Sequence, residues 1–236
     1  MIGLTRAVAG LDWSAVSISL DELNYVVTPP LLTPEQCGDI ASLYEDASRF
    51  RSTVIMSRHG FGRGEYKYFA APLPPIVQTL RQALYPHLAW IANRWASLLH
   101  HAEQWPKEHD ALLSLCRAAG QMRPTPLLLR YGAGDYNCLH QDLYGTVHFP
   151  LQAVVLLDRP EIDFQGGALT LVETRPRMQS RCEIAPMGQG QIAIFPVRER
   201  PRSGARRAYR TQVRHGVSSV HRGLRRTLGV IFHDAV

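Results

Sequence analysis

Residues 130 to 145 read RYGAGDYNCLHQDLYG, and in them His140 and Asp142 stand two apart after a glycine-broken loop. If this stretch ends a β-strand, the two side chains leave the same face while Gln141 turns away, because side chains alternate along a strand. An imidazole and a carboxylate converging on one point leave a divalent metal one protein ligand short of a facial triad. That arrangement keeps three positions open and suits non-haem Fe(II). H-x-D alone is a weak signal whose plain reading is a solvated turn, so a third ligand must come from elsewhere. His148, His215, His221 and His233 are the candidates, and His148 lies too close in sequence to reach easily round a barrel. His215 stands apart because Arg225 follows it by ten residues, within the pattern Gly223-x-Arg225-x-x-Leu228. A strand turn could bring that guanidinium to the depth of the site, where its rigid fork binds a carboxylate at two points. A buried arginine with no acid of its own is costly, so a dicarboxylate co-substrate would supply the missing charge.

Such a site needs strands to position it, and the second half of the chain supplies them. From residue 124 short β-rich runs separated by turn residues follow one another: PLLLRY, VHFPLQAVVLLD, GALTLVE, QIAIF, YRTQVRHGV and RTLGVIFHD. An antiparallel sandwich or barrel is expected over 124–236, with RERPRSGARRAYR as an arginine-rich hairpin or loop between two strands. Residues 30–120 read as mainly helical support. Thr33, Pro34 and Gln36 form a capping-box start, with Leu32 and Cys37 placed as a hydrophobic staple, for a helix running to about Ala47. PPIVQTLRQALYPHLAWIANRWASLL carries Ile76, Leu80, Ala83 and Leu84 at helical spacing, and EHDALLSLCRAAG is a further helix ended by Gly120. A short strand is expected at Tyr25–Val27. The glycine-rich RHGFGRGEYKYF suits a loop or hairpin, in which Glu65, Tyr66, Lys67 and Tyr68 either pack the loop or line a substrate entrance. Asn137 and Gln152 are candidates for a supporting or pocket role.

With 236 residues, 45% of them hydrophobic, the chain can bury one substantial core, and a single domain is expected. No run of 18 or more apolar residues and no convincing signal peptide is present, which points to a soluble, cytoplasmic protein. Cys37, Cys116, Cys138 and Cys182 are scattered with no CxxC pair, so reduced and mostly buried thiols are expected, Cys138 as a small apolar filler beside His140. The net charge of +6 is unevenly spread: residues 175–226 hold thirteen arginines against Glu183 and Glu199. A focused positive field of that kind attracts polyanions, nucleic acid first among them, and the plain alternative is a solvated charged face.

Together these residues resemble the Fe(II)/2-oxoglutarate-dependent dioxygenases, whose signature is H-x-D, a distal histidine and a basic residue about ten positions on. The resemblance covers roughly residues 22–236, leaving 1–21 as an N-terminal extension. NYVVTPPLLTPEQC is similar to the usual opening of such domains, DFQGGALTLVE to their central Gly-Gly hairpin, and GLRRTLGVIF to their closing strand. RYGAGDYNCLHQD is similar to the segment of AlkB-type nucleic-acid demethylases in which a tyrosine nine residues before the first ligand touches 2-oxoglutarate, and Tyr131 holds that spacing. HQDLYG, RPRMQSR, RHGVS and FHDA resemble more closely a bacterial branch regarded as oxygenases of alkylated nucleic acid. The chain departs from the AlkB pattern in having adjacent Arg225 and Arg226 where that family spaces two arginines; alternation turns only one inward, and Arg225 is chosen.

The resemblance implies an α+β fold with a mainly β core, a double-stranded β-helix of the jelly-roll, cupin-like kind, preceded by supporting helices. It implies Fe(II) held by His140, Asp142 and His215, and 2-oxoglutarate whose far carboxylate is held by Arg225 and Tyr131. O2 would be the third reactant, yielding succinate, CO2 and a hydroxylated C–H bond; an N-methyl base would release formaldehyde. The preferred substrate is nucleic acid, with Arg198, Arg200, Arg202, Arg206, Arg207 and Arg210 on its phosphates. The alternative is a prolyl-hydroxylase-like enzyme acting on a protein side chain or a small molecule, since one fold serves many substrates. The bland rival is a non-catalytic barrel in which His140 and Asp142 are incidental.

Overall fold

The structure is a computed structural model that describes residues 2–102, 104–204 and 207–236. Period-two alternation decides how its β half is layered. In the strand Ile192–Pro196, Ile192 and Ile194 join the helices in the main apolar core, while Ala193 and Phe195 enter a second cluster with Leu169, Leu171, Ala185 and Val213. A strand buried on both faces must lie between two layers. It belongs to a seven-stranded sheet, in spatial order Val26–Val27, Ile192–Pro196, Leu151–Leu156, Arg225–Val230, Leu127–Tyr131, Glu65–Phe69 and Phe50–Ile55. A second sheet runs Arg181–Ala185, Leu169–Thr174, Tyr209–Val217, Tyr136–His140 and Gly62–Arg63, with Glu199–Arg202 paired to Tyr209–Val217 as the arginine-rich hairpin. The pairs are antiparallel, and the two sheets face each other as a jelly-roll-like sandwich without closing into a barrel.

The outer face of the larger sheet is covered by the helix Pro75–Leu98. Its buried Val77, Leu80, Leu84, Leu88, Ile91 and Trp95 recur at three- and four-residue spacing and pack with Leu128, Leu151, Val155, Leu228 and Val230. Fully burying each such side chain contributes roughly 1.5–3 kcal/mol. Arg81 on the same face is also buried; it donates to Ile231 O at 2.8 Å and Phe232 O at 2.9 Å and pairs with Asp234 at 2.7 Å, tying the C-terminal segment beneath the helix. The helix His109–Ala118 follows it, and Thr33 caps Pro34–Ser42 through the reciprocal bonds of a capping box.

Three expectations are corrected. Residues 30–120 are not simply helical: Phe50–Ile55 and Glu65–Phe69 are strands that extend the larger sheet, and the helix from Pro34 ends at Ser42 in short 3-10 turns. These strands pair with each other, and Glu65–Phe69 pairs on its other side with Leu127–Tyr131, a partner far away in sequence that no local pattern announces. Residues 1–21 are no detached extension, because the helices Ile2–Ala9 and Trp13–Leu23 bury Leu4, Val8, Val16 and Leu20 in the main core. The thiols divide evenly, Cys37 and Cys116 buried, Cys138 and Cys182 exposed.

Candidate active site

His140 ends the strand Tyr136–His140, and His215 lies directly across from it on Tyr209–Val217. Antiparallel pairing therefore brings together two imidazoles 75 residues apart, their ring centroids separated by 4.2 Å. Asp142 lies just beyond the strand end and enters from the same side: its Oδ2 is 3.3 Å from His215 Nε2 and its Oδ1 is 3.7 Å from His140 Nε2. One ligand atom from each of the three residues lies within 4.8 Å of the others, among the described residues the one such cluster of histidine, cysteine and acidic groups. Gln141 turns the other way and donates to Val213 O at 2.9 Å, anchoring the ligand strand to its neighbour.

The donor set fits a divalent metal. His140 Nδ1 lies 2.8 Å from the carbonyl of Cys138, so a proton there is donated to the backbone and the Nε2 lone pair is left for the metal. The exposed Cys138 lines the cavity and contributes this carbonyl rather than buried apolar filling. Burial alone would raise the Asp142 carboxyl; the hydrogen bond to His215, the two imidazoles and the Tyr144 hydroxyl outweigh it and hold the group well below the usual carboxylate range. Burial, then the neighbouring His140, lowers His215, which keeps it neutral and able to coordinate.

A cavity of about 320 Å³ opens beside these three residues, and Tyr131 and Arg225 lie in its wall. Cross-strand pairing of Leu127–Tyr131 with Arg225–Val230 puts the two opposite each other, the guanidinium 5.6 Å from the Tyr131 ring centroid. Tyr131 Oη accepts from Asn137 at 3.3 Å. Arg225 is almost fully buried, yet its Nε and Nη1 have no hydrogen-bond partner among the described residues. Gly167, at φ +61°, is what lets the hairpin pass over it: a Cβ there would stand 2.8 Å from Arg225 Cδ. Arg226 points the other way and is held by Asp158 at 2.6 Å. The unpartnered guanidinium is the observation that fits a dicarboxylate such as 2-oxoglutarate, whose far end would supply the missing acceptor.

Tyr66, Tyr68, Tyr144 and Gln152 complete the wall, whereas Glu65 and Lys67 alternate outward to Tyr44. Tyr144 was not legible as part of the site. Its one signal is an aromatic residue two positions after the aspartate. Of the other candidate ligands, His221 is exposed, and the buried His233 accepts from Phe149 N behind Tyr144.

The arginine segment divides sharply. Arg200 is fully buried and its Nη2 lies 2.7 Å from the carboxylate of Glu173, so its expected phosphate contact is corrected: the side chain serves the interior. Arg202 pairs with the same carboxylate at 3.0 Å and is only a quarter exposed. Arg198, Arg207, Arg210 and Arg214 are exposed, with Arg210 3.5 Å from Glu199, and Arg206 lies outside the described residues.

Residues 64–235 match a family of oxygenases described as catalysing oxidative methylation of damaged DNA. Two uncharacterised proteins of Mycobacterium tuberculosis are 47% identical over 190 residues, 79% of this chain and 82% of theirs. Among solved structures, a 2OG-Fe(II) oxygenase family oxidoreductase from Burkholderia pseudomallei superposes with a TM-score of 0.59 at 13% identity, covering 96% of this chain and 94% of that one. A prolyl-4-hydroxylase from Pseudomonas putida superposes at 0.54 and 14% identity, covering 92% and 96%.

Proposed function

The chain belongs to this oxygenase family, as a 2-oxoglutarate-dependent dioxygenase, and we propose that its substrate is alkylated nucleic acid, from which it removes methyl groups by oxidation. The observation that carries the chemistry is the convergence of His140, Asp142 and His215 on one point beside an unpartnered, buried Arg225. What favours nucleic acid is the family's description, together with the exposed Arg198, Arg207, Arg210 and Arg214 on and beside the strand that carries His215. A cytoplasmic setting accords with four free cysteines; among the described residues no helix is long and apolar enough to cross a membrane.

Fe(II), 2-oxoglutarate and O2, when bound, supply the oxidant that inserts oxygen into a C–H bond. The protein's own part is binding and orientation. His140, Asp142 and His215 would hold the metal from one side, leaving its other side to the cavity. Arg225 would fix the far carboxylate of the co-substrate, with Tyr131 beside it. Tyr66, Tyr68 and Tyr144 line the cavity and would limit water around a bound substrate.

The test is succinate release with Fe(II) and 2-oxoglutarate, stimulated by methylated oligonucleotides and not by peptide or metabolite pools. Stimulation by a proline peptide alone would replace the substrate with a protein side chain. Oligonucleotide binding should weaken with salt, and replacing Arg198, Arg207, Arg210 and Arg214 by alanine should reduce the log–log salt slope by about 1 for each phosphate no longer neutralised. Absence of binding at every salt concentration would remove the nucleic-acid reading.

A further inference from the structure

We propose that Tyr144 is a positioning residue that selects the oxygen of Asp142 presented to the metal: the phenol retains Oδ1 and leaves Oδ2 as a single ligand. The proposal rests on the reading of His140, Asp142 and His215 as metal ligands.

The two oxygens of a carboxylate are chemically equal, so nothing in Asp142 itself decides whether one or both coordinate. The difference matters because a carboxylate bound through both oxygens takes a position that would otherwise stay open. Here the surroundings make the oxygens unequal. Each oxygen faces one histidine, Oδ1 lying 3.7 Å from His140 Nε2 and Oδ2 3.3 Å from His215 Nε2, but only Oδ1 accepts the Tyr144 hydroxyl, at 2.7 Å. Tyr144 Oη in turn accepts from Tyr68 Oη at 3.0 Å. A hydrogen bond received at the phenol oxygen polarises its O–H and strengthens the bond it donates.

The tyrosine is fixed from several directions. Its ring meets Tyr68 edge to face at 6.0 Å and 89°, and lies 6.0 Å from the ring of His233. Tyr68 meets Tyr66 in the same way at 5.3 Å and carries the Arg51 guanidinium 4.5 Å above its ring. Behind the turn Gln121 accepts from Val147 N and donates to Val147 O, both at 2.8 Å. Gly145 makes room for that amide, since a Cβ there would collide with Gln121 Cδ. The segment LYG after Asp142 therefore holds a rigid donor against one oxygen of the ligand.

The test needs neither co-substrate nor turnover. Co(II) is titrated into the metal-free full-length protein, and affinity and visible absorption are compared for wild type, Tyr144→Phe and Tyr68→Phe, with melting of each metal-free protein as the folding control. Tyr144→Phe should weaken Co(II) binding roughly ten- to a hundredfold, the usual cost of losing a partner that orients a metal ligand. It should also change the position and intensity of the Co(II) bands as the carboxylate's mode changes. Tyr68→Phe should shift both in the same direction by less. A folded Tyr144→Phe protein with wild-type affinity and spectrum overturns the proposal. If that variant does not fold, Tyr68→Phe decides in the same way, because it removes the donor to Tyr144 and leaves Tyr144 itself in place. Failure of the wild type to bind Co(II) would instead overturn the ligand assignment, and this proposal with it.

Discussion

Arg200 and Arg225 are both sealed from solvent, at 0% and 2% exposure, and the protein treats them in opposite ways. Arg200 faces Glu173, a buried carboxylate that also receives Arg175 and Arg202 at 3.0 Å and the Thr211 hydroxyl at 2.9 Å. Arg225 faces the aromatic rings of Tyr131 and Phe164, at 5.6 and 6.0 Å, while nearby Asp158 is taken by Arg226. Hydrogen bonding does not separate them, since Arg200 Nε and Nη2, like Arg225 Nε and Nη1, have no hydrogen-bond partner among the described residues; the counter-ion does. Burying a cation without an anion is unfavourable, so a fold that gives one guanidinium a carboxylate and the other none leaves the second available to an anion from outside the chain. Burial alone does not distinguish the two charges; the carboxylate beside Arg200 does.

The largest effect separating the two should come from removing Arg200. Arg200→Met leaves Glu173 short of a buried partner and should destabilise the protein by roughly 3 kcal/mol in urea denaturation, with much of the loss recovered by adding Glu173→Leu. A loss below about 1 kcal/mol would make the two arginines alike and break the comparison. Next is Arg225→Met, which should leave the ligand-free protein as stable as wild type or more so. Wild type, loaded with metal, should gain about 2.7 kcal/mol at a 2-oxoglutarate concentration about one hundred times its Kd. The variant should show no such gain; a full gain in Arg225→Met would dismiss Arg225 as the co-substrate's partner.

The third effect, smallest when counted per histidine and per pH unit, sharpens the same point with groups kept neutral. Burial, then Arg81, lowers His109 to about 4, and burial lowers His233 to about 3. Unfolded, each would titrate near 6.5, so below about that pH the unfolded chain takes up protons that the native state refuses. Their contribution to stability is thus complete above about pH 6.5 and is lost as pH falls toward about 4 for His109 and about 3 for His233. Each should lower stability by up to about 1.4 kcal/mol per pH unit. Urea midpoints at about pH 7.5, 6 and 5 should fall in that order, less steeply in His109→Gln; a flat profile would mean that these histidines are not held neutral.

Much of this was legible locally. The capping box at Thr33, the helical spacing from Ile76 to Leu84 and the β-rich run QIAIF each state a local structure, and each forms. The edge strand Phe50–Ile55, and the place of Glu65–Phe69 inside the larger sheet, were hidden because polar and charged residues occupy many of their positions and because Glu65–Phe69 joins the sheet through a distant partner, Leu127–Tyr131. Arg200 misleads for a related reason. In sequence it sits among surface arginines, and its commitment to Glu173 depends on a residue 27 positions earlier in the chain.

The sequence by itself determined the chemical types and spacing at the centre, H-x-D, a distal histidine and an arginine ten residues beyond it, because those are properties of residues and intervals. Tertiary structure alone decided that His215 lies opposite His140, that Arg225 turns inward with no counter-ion among the described residues while Arg226 finds Asp158, and that Tyr144 bonds Asp142. Register and charge pairing between distant segments are set by which faces pack together, and composition along the chain does not carry that information.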